Sequence, residues 1–408
     1  MKNNVDVCIV GGGMVGATLA CALAKNSDLS ILLIEAFPLK KTDVVASGDY
    51  QSSYDARSTA LSRGTAEIFH QLECWALMRE QATPILDIHV SEKGGFGFSH
   101  LSAKKENVPA LGYVVENAWL GRVLIGQLFQ HSNIQILSPA KVASIDFQAD
   151  CVSVTVEGEQ YAGGITATLL IAADGQDSEV RRMLGIDVDI TDYEQQAIIA
   201  NVSPDCEHQG LANERFTANG PLALLPISDN RYSLVWSLAH DEAAETLALS
   251  DDDFLVKLQS QIGQRVGKMI KVGERFSYPL QLMRAKEQVR PRVVIVGNAA
   301  HSLHPVAGQG FNVAARDVAV LAAEIKGAFR RNQPIGDFSV LQQYWDKRRL
   351  DQEKTIQFSD KLLRLFDSES GLLRTARNIG LIGLDVWGPG KGVFAKHAMG
   401  ANHYVSLL

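Results

Sequence analysis

No run of about 18 consecutive apolar residues occurs in the 408-residue chain, so no membrane-spanning helix is expected. Cysteine is scarce. Cys8, Cys21, Cys74, Cys151 and Cys206 are odd in number and form no C-x-x-C, so a reducing cytoplasm fits best. Cys8 and Cys21 fall on apolar faces of the first strand and helix, which points to core packing. Positive charge is not in excess: the net charge of −7 leaves no global basic footprint, and nucleic acid is not an expected partner. Internal repeats and low-complexity tracts are absent. The N-terminus runs straight into a strand, so no signal peptide is expected. The length suits two or three domains with proper cores.

Glycine is what the chain places with purpose. Val5 to Val10 is apolar, β-branched and ended by glycine, the pattern of a buried parallel strand. Gly11, Gly13 and Gly16 then fit G-x-G-x-x-G. The first glycine makes a tight turn, the second lets backbone approach a pyrophosphate, and the third lets the helix pack closely on the strand. A second strand, Ile31 to Ile34, ends at Glu35, at the distance where an acid binds ribose hydroxyls. Together these features point to dinucleotide binding, without separating FAD from NAD. A second glycine-rich turn, Gly297 to Asn312, follows the strand-like Val293 to Val296 and leads into a long helical pattern. Both turns offer free N–H groups and the positive end of a helix dipole, which suits an anionic ring or phosphate. Turns at opposite ends of the chain suggest one extended cofactor gripped at both ends.

Between them the pattern changes. One helical segment is expected over Gly64 to Glu80, with strands at Ile85–Ser91 and Phe96–Leu101 after it. Trp119 to His131 reads as a helix with Leu120, Leu124 and Leu128 on one stripe. Thr168 to Ala173 is another buried strand, closed by Asp174-Gly175 and followed by a short helix, Asp177 to Leu184. Asp174 would stand at the carboxyl edge of a parallel sheet, where α/β ligands bind. The plainer reading is an Asp capping the helix, with Arg181 on a solvated face. From Tyr193 to Leu282 the pattern is mostly β, interrupted by one helix, Asp251 to Ile262, with Ser250 or Asp251 as N-cap. The cofactor domain is therefore expected to be discontinuous, over 1–83, 106–184 and 284–366. A β-rich domain of 84–105 and 185–283 is inserted, and 367–408 forms a tail. A nicotinamide nucleotide, if used, has no Rossmann domain of its own.

The triple glycine, the Asp174-Gly175 motif and the late Gly297-Asn298-Ala299-Ala300-His301…Pro305…Gly308…Asn312 motif, in that order, resemble the single-component FAD-dependent aromatic hydroxylases of the p-hydroxybenzoate hydroxylase fold. The wording is closer still to the ubiquinone-biosynthesis branch of that family. Ser53 to Leu61, Leu111 to Asn117, Glu214 to Thr217, Gly220 to Pro226, Ser233 to Trp236 and Arg377 to Leu381 all look like it. The implied fold is α/β: a Rossmann-like FAD-binding domain with an inserted β-rich substrate domain. The family usually has Asp where this chain has Asn298. Asn still offers an oxygen acceptor and adds a donor, so binding should survive without the charge.

The resemblance implies roles for particular residues. Gly11, Gly13 and Gly16 would hold the FAD pyrophosphate and Glu35 the adenosine ribose. Arg57 would reach the FAD phosphates, a pairing suited to guanidinium geometry, and Arg122 would touch the cofactor from its helix. Asp174 would sit near the pyrophosphate, Asn298 near the ribityl hydroxyls and Pro305 beside the isoalloxazine. Gly308 belongs to the turn whose next N–H groups, at Gly310, Phe311 and Asn312, would point at the pyrimidine edge. His301 and His304 lack the further ligands that a metal needs, so a hydrogen-bonding role within the turn is expected. The flavin would carry the hard chemistry; His304 and Pro305 are the nearest candidate side chains.

The implied reaction is hydroxylation of a polyprenylated phenol by NAD(P)H and O2, with 2-polyprenyl-6-methoxyphenol as the substrate the wording favours. Other ring-position hydroxylases of the pathway, a flavin-dependent prenyl reductase and a non-enzymatic lipid-escort protein are the alternatives. A lipid-tailed substrate raises the prospect of a pathway protein complex or a peripheral contact with the inner face of the plasma membrane. The tail from Gly371 to Leu408, mixing apolar residues with Arg374, Arg377, Lys391 and Lys396, is the expected surface for it. Its bland reading is packing on the cofactor domain.

Overall fold

The computed structural model describes residues 3–41, 57–159, 161–303 and 308–367, with side chains to Lys361. The tail singled out above, together with His304 and Pro305, therefore lies outside the described residues. One sheet runs in the order Val289–Arg290, Val293–Ile295, Gly163–Ala172, Asn4–Val10, Ile31–Ile34 and Ile134–Leu137. All neighbours but the first pair are parallel. Two antiparallel strands, Ala140–Phe147 and Val152–Gly158, extend the first half of Gly163–Ala172. In register, Val10 pairs with both Ala172 and Ile34, and Ala172 pairs with Ile295. Four strands thus end level, and Gly11, Glu35, Ala173 and Val296 emerge at one edge.

Apolar strands of this kind need cover on both faces. On one face the helices Met14–Ala24, Asn117–Leu128 and Gln309–Arg330 bury Leu19, Leu23, Leu120, Leu124, Val318 and Leu321. Each such side chain contributes about 1.5–3 kcal/mol. On the other face Cys8, Leu32, Leu170 and Ile295 pack with Val154 and Val180. Burial pushes the Cys8 thiol up to about 12, so it behaves as a small apolar residue.

A second sheet takes the order Phe98–Ser102, Asp87–Glu92, Leu211–Thr217, Gly220–Ile227, Arg231–Ala239, Val188–Pro204, Phe276–Ala285 and His301–Ser302. Its outer face carries the Asp251–Ile262 helix, capped by Ser250, which accepts from the Asp253 N–H. A second helix, His240–Leu247, precedes it, although only one helix is expected there from sequence. It buries only Ala243 and Thr246, too little to print a periodic stripe. The expected Gly64–Glu80 segment is likewise two helices, Arg63–Gln71 and Trp75–Arg79. Glu73 breaks it with φ of 62°.

The late motif also departs from a plain strand–turn–helix. After Val293–Ile295 the chain crosses over, and His301–Ser302 pairs with Arg284 and Met283 of the second sheet. Beneath this crossover lies a buried ion network. Asp317 accepts from Arg348 Nε at 2.6 Å and pairs with His301 Nε2 at 3.0 Å. Asp351 takes Arg348 at 2.5 Å and Arg316 at 3.0 Å. Burial alone would raise the Asp317 carboxyl, but Arg348 and His301 outweigh it and hold it below the usual range.

Removing one partner of such a network strands the others in low dielectric. Asp317→Ala should cost about 3–5 kcal/mol, read as a lower urea midpoint. Because the folded Asp317 pKa is depressed, its contribution is full above the ordinary value of about 3.9. It fades as pH falls through the lower folded value. A mutant gap that is unchanged at acid pH would remove Asp317 as the titrating group.

Candidate functional site

Gly11 takes φ +105°, a conformation that suits glycine, and a Cβ there would overlap the Ala173 carbonyl. A Cβ on Gly16 would overlap the Gly11 carbonyl, so this glycine is what lets the first helix lie against its own turn. Gly13 differs: a Cβ would meet none of the described residues within 4 Å, and the residue lines a cleft. No side chain among the described residues caps the Met14–Ala24 helix, so its first N–H groups could serve a ligand. Glu35 turns back on the loop, accepting from Gly12 N–H at 2.5 Å and Phe37 N–H at 2.9 Å.

The cleft, of about 400 Å³, runs along the carboxyl edge of the parallel sheet. Gly13, Gly175 and Asn298 line one end; Gly308, Gly310 and Phe311 line the other. Asp174 is absent from this lining. Its carboxylate accepts from the Ser178 hydroxyl at 2.5 Å and the Val180 N–H at 3.1 Å, so it builds the turn. Arg181 is buried rather than solvated, which corrects the plainer reading of this motif. Its guanidinium donates to Ala299 O at 2.8 Å and Gln176 O at 2.9 Å, tying the middle motif to the late one.

At the far end Gly308, with φ of 60°, starts the Gln309–Arg330 helix without a side-chain cap. A Cβ on Gly310 would meet none of the described residues within 4 Å. The Asn312 amide is saturated. Its oxygen accepts from Ser62 N–H and the Thr65 hydroxyl, and its nitrogen donates to Ala60 O and Gly308 O. Asn312 thus fastens the Ser58–Ser62 strand to the helix start, a side-chain role that sequence did not reveal. Arg57 stands at the mouth, 4.9 Å from the Tyr278 ring centroid. Ser58 Oγ, also on the lining, is buried without a hydrogen-bond partner among the described residues.

Open glycines at both ends, two uncapped helix starts and an unpartnered hydroxyl fit an elongated ligand with phosphates at one end and a polar ring at the other. FAD has that form. Like Asp174, Arg122 and His301 do not line this cleft. Arg122 is buried in a separate cleft with Glu116, Trp119 and Arg231. His301 bonds Asp317 in the helix rather than the turn itself.

A second, more apolar pocket of about 120 Å³ adjoins the first and shares Ala60, Leu225, Val235 and Gly308 with it. Ile85, Ile88, Leu101 and Leu111 complete most of its wall. The only sequence signal for it is the alternation of aliphatic residues in these strands.

The model of the FAD binding domain family matches residues 4–359. The chain is 37% identical over 395 residues to the ubiquinone hydroxylase UbiL of Rhodospirillum rubrum, covering 97% of this chain and 89% of that one. It is 30% identical over 402 residues to the 3-demethoxyubiquinol 3-hydroxylase of Escherichia coli, covering 97% and 98%. Among solved structures, the p-nitrophenol 4-monooxygenase PnpA from Pseudomonas putida matches with a TM-score of 0.78 at 19% identity, covering 99% of both chains. That last likeness is one of fold, and it is the fold that the sequence motifs imply.

The glycines should separate binding from folding. Gly13→Val places its side chain in open space, so the protein should fold yet purify largely without FAD. Gly16→Ala must displace backbone and should lose about 1–3 kcal/mol of stability. A folded Gly13→Val protein with normal flavin content would rule out the pyrophosphate assignment.

Proposed function

Because the chain belongs to the FAD binding domain family, and among its members to the ubiquinone hydroxylases, we propose that it hydroxylates a polyprenylated phenol in ubiquinone biosynthesis, using NAD(P)H and O2. The reaction we assign converts 2-polyprenyl-6-methoxyphenol to 2-polyprenyl-6-methoxy-1,4-benzoquinol. The observation that carries the reading is the join between the cleft and the aliphatic pocket at Gly308. A ring in that pocket would lie beside the helix start where the reactive end of the cofactor belongs. The motif wording supports the choice of substrate.

Bound in the cleft, FAD supplies hydride acceptance and the activation of O2. One oxygen atom enters the ring and the other leaves as water, with NAD(P)H giving two electrons. The protein's part is binding, orientation and exclusion of water. N–H groups around Gly13 hold the pyrophosphate, Glu35 the adenosine ribose, and Arg57 the phosphates. Asp174 fixes the turn beside them, and Asn298 would hold the ribityl hydroxyls. The N–H groups of Gly310, Phe311 and Asn312 would hold the ring end of the cofactor, where the helix dipole would favour negative charge. Cofactor contacts for Arg122 and Pro305 rest on the family resemblance alone. The aliphatic walls keep water from the reacting ring and gain about 0.8 kcal/mol for each CH2 of the tail that they bury.

Among the described residues no helix is long and apolar enough to cross a membrane. Membrane contact and a pathway complex stay with the C-terminal tail as proposals.

A purified sample should show a flavin spectrum that NAD(P)H bleaches faster when 2-prenyl-6-methoxyphenol is present. Under ¹⁸O2 the quinol product should carry one labelled oxygen. Product formed equally well under nitrogen would favour a prenyl reductase. A colourless protein that cannot be reconstituted with FAD would favour a lipid escort.

A further inference from the structure

The aliphatic pocket contains one carboxylate. Among the described residues of its lining, Glu214 is the only ionisable side chain, set among Ile88, Val90, Leu101, Leu225 and Val235. Strand register explains its direction. Glu214 pairs with Val90 on one side and Ala223 on the other, and Ala223 pairs with Val235. Directly paired residues share a face of the sheet, so Glu214 stands in an aliphatic row that faces the pocket. Its neighbour Arg215 points the other way and donates to Ile262 O of the helix behind the sheet. Asn213, although part of the pocket's lining, pairs with Leu224, which packs in the core beneath the helices.

Two further polar groups of the wall are already engaged within the protein. The Asn312 amide is saturated, and the Ser62 hydroxyl is engaged with Thr65. Glu214 lines the pocket with Oε1 buried, and the two oxygens of a carboxylate can accept from several donors at once. A phenolic O–H is such a donor, and O–H···O⁻ bonds are short and about twice as strong as neutral ones.

We propose that Glu214 accepts the hydrogen bond of the substrate's phenolic hydroxyl and so decides which ring carbon faces the helix start at Gly308. Glu214 is then a specificity residue that touches substrate, and the aliphatic row around it holds the ring and the base of the tail. The proposal rests on the hydroxylase reading above and adds the group that orients the ring.

The test compares 2-geranylphenol with its O-methyl ether, which keeps the shape and lacks the donor. Affinity of the FAD-loaded protein is read from perturbation of the flavin spectrum, and coupling from product formed per NAD(P)H consumed. Wild type should bind the phenol more tightly than the ether. Glu214→Leu should weaken the phenol about tenfold to a hundredfold, leave the ether unchanged, and lower coupling or mix the ring positions hydroxylated. Glu214→Gln keeps an acceptor without the charge and should fall between. Equal losses for phenol and ether, or no loss for either, would overturn the assignment. Should the leucine variant not load FAD, the wild-type preference and the glutamine variant decide alone; a wild type that binds both probes equally refutes the proposal. A wild type whose NAD(P)H oxidation responds to no phenol fails before any substitution, and takes both the hydroxylase reading and this proposal with it.

Discussion

The parallel register of the first sheet is the constraint on which the site depends. Val10, Ile34, Ala172 and Ile295 lie level because hydrogen bonds along parallel strands fix each neighbour's offset. Each strand then releases its next residues at the same height. A one-residue slip would turn every buried side chain to the wrong face and would also move Gly11 away from Ala173. Core packing and site geometry are thus set by the same bonds. The close fit of Gly11 to the Ala173 carbonyl is a direct expression of this alignment.

The second sheet supplies what the first cannot. Parallel strand ends give polar N–H groups and turns, but no large apolar wall. The row through Val90, Ala223 and Val235 gives that wall. The two surfaces meet where Asn312 holds the Ser58–Ser62 strand against the helix start. Polar and apolar halves of the cavity are therefore joined by a side chain that is itself fully satisfied.

Much of this was legible in the sequence because the signals are local. The Asn4–Val10 and Ile31–Ile34 strands follow from unbroken apolar runs, and the Asp251–Ile262 helix from its Ser250 cap. Other features depend on partners far along the chain. The burial of Arg181 needs the Ala299 carbonyl, 118 residues away, to make it favourable. Asp317 and Arg348 look like ordinary charges on helical surfaces until the helices pack. The crossover of His301–Ser302 requires a strand of the other sheet as its template. The direction of Glu214 is set by pairing with Val90, which no local pattern specifies. Glu73 shows the converse limit: a non-glycine residue in the left-handed region leaves no mark in composition.

The His301–Asp317 bond has a bearing on how the cofactor is received. It joins two points sixteen residues apart, one on the second sheet and one inside the long helix, and so clips together the ends of the segment that carries the late glycines. The entropy of closing that loop is settled when the protein folds. An incoming cofactor need not gather the two ends, and more of its contact energy appears as affinity. The late glycines thus sit on a frame anchored in the core at His301, Asn312 and Asp317, so that contact with a ring is separated from the task of holding the segment closed.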